Sequence, residues 1–148
     1  MRRTPIDEGM SVIVGTVSPD GKPAGCRAIC ATSKDNLQTM TVYVPMATSR
    51  DVVSNVATTH RLAVVGSYPP DHSTMQVKGT TTNVRLATDG EQELLRIRLD
   101  RFADVLHSLG VPRRLTRSIS YWPAFAIDMN VEEVFEQTPG PKAGTPIR

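Results

Sequence analysis

The chain is poor in the residues that most readily declare a chemistry. It has two cysteines and histidines only at positions 60, 72 and 107, and none of these falls at a metal-ligand spacing. Cys26 and Cys30 lie in what reads as one extended strand. Both would then face one side, about 13 Å apart, too far for a disulfide. They read as buried, reduced thiols. No apolar run approaches the roughly 20 residues that a membrane-spanning helix needs. Met1-Arg2-Arg3 is basic, but no apolar segment follows to make a signal peptide. Seventeen Lys and Arg against fifteen Asp and Glu leave a net charge of +2, too little to argue for nucleic acid or an anionic membrane. The absences therefore point to a soluble, cytoplasmic protein with no nucleic-acid or membrane partner and no metal. With 148 residues, 39% hydrophobic and 22% charged, the chain reads as a single domain over 1–148, with residues 1–10 leading in and 137–148 as an extended tail.

What is present is organised around Thr39–Ser67. Thr39–Pro45 alternates, with Met40, Val42 and Val44 on one face and Thr39, Thr41 and Tyr43 on the other, the period of a strand with one buried side. Pro45 ends it. Thr48, Ser49 and Asp51 resemble a capping box, Val52, Val53 and Val56 give the helix an apolar stripe, and Arg61–Ser67 resumes as an almost wholly apolar strand. A helix N-terminus offers free backbone N–H groups and a positive dipole end. Two hydroxyls and a guanidinium at Thr48-Ser49-Arg50 suit a phosphate monoester. Ordinary capping beside a solvated arginine accounts for the same residues.

The flanking chain is mostly strand. Ser11–Ser18 and Ala24–Ala31 form a hairpin about the turn Pro19-Asp20-Gly21-Lys22-Pro23. Arg27 is then a charge in mid-strand among small neighbours, placed either to pair with an approaching ligand or to sit at the sheet surface. Ser67–Ser73 is irregular because of its two prolines. Met75–Thr88 is a long strand whose Gln76, Lys78, Thr80 and Thr82 share a polar face, and whose Gly79 marks a bulge or a close backbone approach. Leu95, Leu99, Phe102, Leu106 and Leu109 give a helical stripe after Asp89, closed by Gly110 and Pro112. Pro112–Arg117 is one further basic turn, and Tyr121–Phe135 is the closing strand, with Phe125, Ile127, Met129 and Val131 on one face. A mainly β, antiparallel six-stranded barrel of Greek-key type with flanking helices closes this set without open edges.

The motifs VGTVSPDGKPAGCRAI, TVYVPMATSRDVVSNV, HRLAVVGS, MQVKG and EEVFEQTPGPKAG, in that order, resemble the pyridoxamine 5′-phosphate oxidase-like split-barrel flavoproteins. The similarity runs from about Ser11 to Gln137. It implies an FMN cofactor in a groove between the two barrels of a homodimer. Carried over by position, the contacts are Arg27, Ala28 and Ile29, then Tyr43, Val44 and Pro45, then Thr48, Ser49 and Arg50, with Gln76 and Lys78 from the long strand. The chain also departs from the true oxidases. Asp51 stands where they usually carry a lysine, Thr32 replaces a further cofactor contact, and QTPGPKAGTPIR replaces their arginine–histidine element for the substrate phosphate. The resemblance therefore implies a relative of these oxidases and not a pyridoxamine-phosphate oxidase itself.

It implies an FMN-dependent oxidoreductase acting on an unassigned small-molecule substrate. The alternatives are a non-catalytic module holding flavin or haem, and a barrel that keeps only its dimer. No acid–base pair stands out. His60 and His72 are candidates for proton transfer only by exclusion, and a surface role suits both. The apolar face around Tyr43 and Val44 is the expected dimer contact.

Overall fold

The computed structural model describes residues 2–148. The strands are β1 (Ser11–Val17), β2 (Pro23–Ala28), β3 (Cys30–Thr32), β4 (Thr39–Pro45), β5 (Arg61–Ser67), β6 (Thr74–Leu86), β7 (Ala124–Glu136) and β8 (Thr145–Pro146). The helices are α1 (Arg50–Thr59), α2 (Asp89–Ser108) and α3 (Arg113–Arg117), with one 3₁₀ turn at Met46–Thr48. The sheet runs β2-β1-β5-β6-β7-β4-β3, all antiparallel, and β8 adds to β7. Its two ends, β2 and β3, are separated in the chain only by Ile29, so the sheet curls until the backbone itself joins its edges. This is the split β-barrel.

The expected six strands appear as eight segments for two reasons. The segment read as one strand over Ala24–Ala31 breaks at Ile29, where it leaves β1 and takes β4 as its partner; the Ile29 N–H donates to the Tyr43 carbonyl at 2.8 Å. The tail is not wholly extended either. It turns at Gly140–Ala143 and returns to pair with β7. The break at Ile29 also corrects the cysteine geometry. Cys26 packs against the main core, whereas Cys30 belongs to a second cluster with Tyr43, Leu95, Ala124 and Ala126. Both thiols are free.

The core is the inner face of the barrel, where Val12, Val14, Val42, Val44, Val64, Val77, Ile127 and Met129 are each 2% exposed or less. Gly79 is where the alternatives left open by the sequence both hold. The β6–β7 register shifts between Lys78 and Gly79, and a Cβ there would stand 1.9 Å from the Asn130 carbonyl oxygen.

Helix α2 buries Leu95, Leu99, Phe102 and Ala103. The stripe expected from its period runs out early: Leu106 is half-buried and Leu109 is 51% exposed, because the helix extends beyond the barrel wall before Gly110 turns it with φ +94°. The capping box lies at α2 and not at α1. Thr88 and Glu91 form it, whereas Ser49, the N-cap of α1, makes no side-chain capping bond. The preceding 3₁₀ turn sets Ser49 at φ −108°, ψ 11°, outside the extended geometry from which a cap hydroxyl reaches forward.

Candidate functional site

Four of the expected contact residues meet in one cleft. Arg27 and Ala28 end β2, Ile29 follows it, Pro45 ends β4, and together with Met10 and Val12 they line a crevice of about 10 Å³. That volume admits one water at most. Leu99 and Phe102 of α2, with Ile119 and Ser120, form its opposite wall. The Arg27 guanidinium donates to the Ser11 hydroxyl at 3.1 Å and stands 5.6 Å from the Phe102 ring centroid, while the residue stays exposed. The wall from α2 and Ile119 was not expected, because Leu99 and Phe102 read only as helix packing.

Pro45 leads directly into the turn Thr48–Arg50. Thr48 and Arg50 are exposed and Ser49 is fully buried. Among the described residues its Oγ has no hydrogen-bond partner. Arg50 forms no ion pair among the described residues, and Asp51 lies exposed in the first turn of α1. The turn thus holds an orphaned hydroxyl, the open N–H groups of a ten-residue helix and a free cation.

Tyr43 and Val44 face elsewhere. Val44 is 0% exposed in the barrel core. Tyr43, 4% exposed, donates its hydroxyl to Glu91, which also takes two bonds from Arg85 at 2.6 and 3.0 Å. The phenol is pushed up to about 12, first by burial and then by Glu91. The Arg85 guanidinium holds the Glu91 carboxyl far below the usual range. Either residue can offer a ligand only its backbone. The expected dimer face around them is therefore closed within the chain, by α2 on one side and the core on the other. The T-x-x-E spacing of Thr88 and Glu91 was the available signal for this network.

Gln76 and Lys78 are half-buried on the outer face of β6. The Gln76 carbonyl accepts from the Gln137 amide at 3.1 Å, and the Lys78 ammonium stands 5.1 Å from the Phe135 ring centroid. Within one chain they are not in the Arg27 cleft; β1 and β5 lie between β2 and β6. Among the described residues, no group of three or more His, Cys, Asp and Glu could hold a metal ion. Among the described residues, no helix is long and apolar enough to cross a membrane.

The residues at the turn fit a phosphate group. The cleft beside it does not admit a flavin ring, so a ring could meet Arg27 and Ile29 only at the cleft mouth. What the fold defines is a split β-barrel, of the architecture seen in pyridoxamine 5′-phosphate oxidase-like proteins. Solved structures carry that statement. An F420 reductase is 13% identical with a TM-score of 0.58, over 90% of this chain and 94% of the other. HupZ of Group A Streptococcus is 14% identical with a TM-score of 0.54, over 91% and 90%. A candidate pyridoxamine 5′-phosphate oxidase of Lactobacillus delbrueckii is 20% identical with a TM-score of 0.53, over 84% and 83%. At these identities the likeness is one of fold. No protein-family model and no curated protein matches the chain.

Proposed function

We propose that this chain binds FMN and serves as an oxidoreductase for a small-molecule substrate, with the flavin held where two copies of the chain meet. The observation that carries the reading is the Ser49 hydroxyl, fully buried and without a partner at the start of α1. Such a group costs about 1–3 kcal/mol unless something satisfies it. A phosphate oxygen at the turn satisfies it, accepts from the open N–H groups of α1 and pairs with Arg50. Arg27, Ala28, Ile29 and Pro45 stand beside the turn for the rest of the cofactor. When bound, FMN would supply the hydride chemistry; the chain supplies the anchor and the cleft wall. Two structural neighbours bear the names of redox enzymes, an oxidase and a reductase, which supports the oxidoreductase class. Two free thiols support a reducing, cytoplasmic setting.

Calorimetric titration with FMN and with riboflavin tests the reading, since only FMN carries the phosphate. Arg50→Ala is expected to weaken FMN about 10- to 100-fold, the range for a charge-assisted bond, and to leave riboflavin unchanged. Asp51→Asn should leave FMN affinity equal or improved, because it removes a carboxylate near the anion. If the unaltered protein binds neither ligand, the reading fails. If Arg50→Ala weakens both alike, the phosphate is held elsewhere, with Lys78 or the Arg113–Arg117 turn next in line.

A further inference from the structure

Two polar side chains are buried together where the rest of the packing is apolar. Thr16 of β1 is 8% exposed and Asn55 of α1 is 9% exposed, while Val12 and Val14 on the one element and Val52 and Val56 on the other belong to the barrel core. The Asn55 side-chain amide donates to the Thr16 hydroxyl at 3.1 Å, and that hydroxyl donates in turn to the Ala24 carbonyl of β2 at 3.2 Å. Four residues further along α1, the Thr59 hydroxyl lies 3.1 Å from the Val17 carbonyl. Bonds with direction therefore tie α1 to the β1–β2 hairpin, in addition to the contacts of Val52 and Val56.

A buried hydrogen-bonded pair adds little net stability over an apolar pair of the same shape. What it adds is a fixed position. Apolar attraction is non-directional, so two valines allow a helix to turn or slide slightly over a sheet, whereas a donor and an acceptor hold one rotation and one height. The relay joins the two sides of the proposed cofactor site. Asn55 stands about 7.5 Å along the α1 axis from Arg50, and Ala24 lies about 10 Å along β2 from Arg27. The path from Arg50 to Arg27 through Asn55, Thr16 and Ala24 changes elements only at these two hydrogen bonds.

We propose that Asn55 and Thr16 are positioning residues for the anion turn. They set the rotation and height of α1, and so hold Ser49, Arg50 and the open N–H groups of the helix in one placement relative to Arg27. Neither residue touches the ligand. The inference rests on the reading above, that FMN binds with its phosphate at the turn.

Position and stability can be read separately. Thr16→Val leaves the Asn55 amide without its acceptor and should lower the melting temperature by about 3–9 °C. Thr16→Val together with Asn55→Leu removes both partners, and the melting temperature should return to within about 2 °C of the unaltered protein. Calorimetric titration of this double variant should nonetheless show FMN weakened at least about tenfold, the loss of one charge-assisted bond, with riboflavin within about twofold of its unaltered affinity. Asn55→Leu alone creates no unpaired donor, since the Thr16 hydroxyl keeps the Ala24 carbonyl, and should show the same FMN loss. Thr16→Ser keeps the hydroxyl and should keep the preference for FMN. If FMN affinity returns with the melting temperature in the double variant, or riboflavin weakens in step with FMN, or Thr16→Ser loses the preference, the positioning role is overturned and the phosphate reading stands. Unaltered protein that binds neither ligand overturns both.

Discussion

Removing the Glu91 carboxylate is expected to cost far more than its position at a helix start suggests. In Glu91→Ala three losses fall together. The capping box with Thr88 goes, where the Glu91 carboxylate accepts from the Thr88 N–H at 2.9 Å, worth about 1 kcal/mol. The pair with Arg85 goes, but that side chain is 38% exposed, so solvent screening holds its share to about 1 kcal/mol or less. The largest loss is indirect. The Tyr43 hydroxyl, in a residue 4% exposed, is left without its acceptor, at about 1–3 kcal/mol. Together these amount to about 3 kcal/mol, or roughly 6–12 °C in Tm for a chain of this size. Urea titration at pH 7 measures it. The folded Glu91 is held below its unfolded value by Arg85. Its contribution is therefore complete above the ordinary glutamate value of about 4.3 and is lost as pH falls from there toward the depressed folded value. The gap between the two proteins should accordingly narrow below pH 4. A loss under about 1 kcal/mol at pH 7, or a gap that does not change with acid, would refute the argument.

Gly79→Ala should destabilise the barrel by about 3 kcal/mol or more in the same titration, because its Cβ would meet the Asn130 backbone oxygen at 1.9 Å and neither strand can yield without breaking the β6–β7 ladder. Burial pushes the Cys30 thiol up to about 12 and raises that of the half-buried Cys26 as well. Maleimide at pH 7.5, followed by mass spectrometry, should therefore label Cys26 first and Cys30 only after denaturation; equal labelling of the two in the folded protein would contradict the placement of Cys30 beneath α2.

Strand periodicity made most of the barrel legible, since alternation such as Met40-Val42-Val44 follows directly from one buried face. What it could not show was a change of partner. Residues 24–31 look like one strand because no glycine–proline cue interrupts them at Ile29; the chain bends there and the ladder changes, and only the position of β4 reveals it. The same limit governs the site. Ser49 and Arg50 were visible as a candidate anion motif because helix starts have local chemistry. The wall that Phe102 and Ile119 place over Arg27 was not, because an apolar helical stripe has no signature of what it covers. Tyr43 failed as an exposed contact for a related reason: whether a strand's second face is wet depends on a helix some fifty residues further along, here α2 with Leu95.

The place of β7 between β6 and β4 also bears on how the chain reaches this shape. The two long ladders of β7 join it to strands made well before it, and β4 pairs with it from Thr39↔Asn130 to Pro45↔Ala124. During synthesis, β4 and β6 therefore leave the ribosome each with a bare edge that nothing earlier in the chain can occupy. Such edges pair readily with other chains, and contacts of this sequence separation form slowly. The barrel can seal only after synthesis has passed Glu136, so nascent chains stalled before that point are the species most exposed to aggregation.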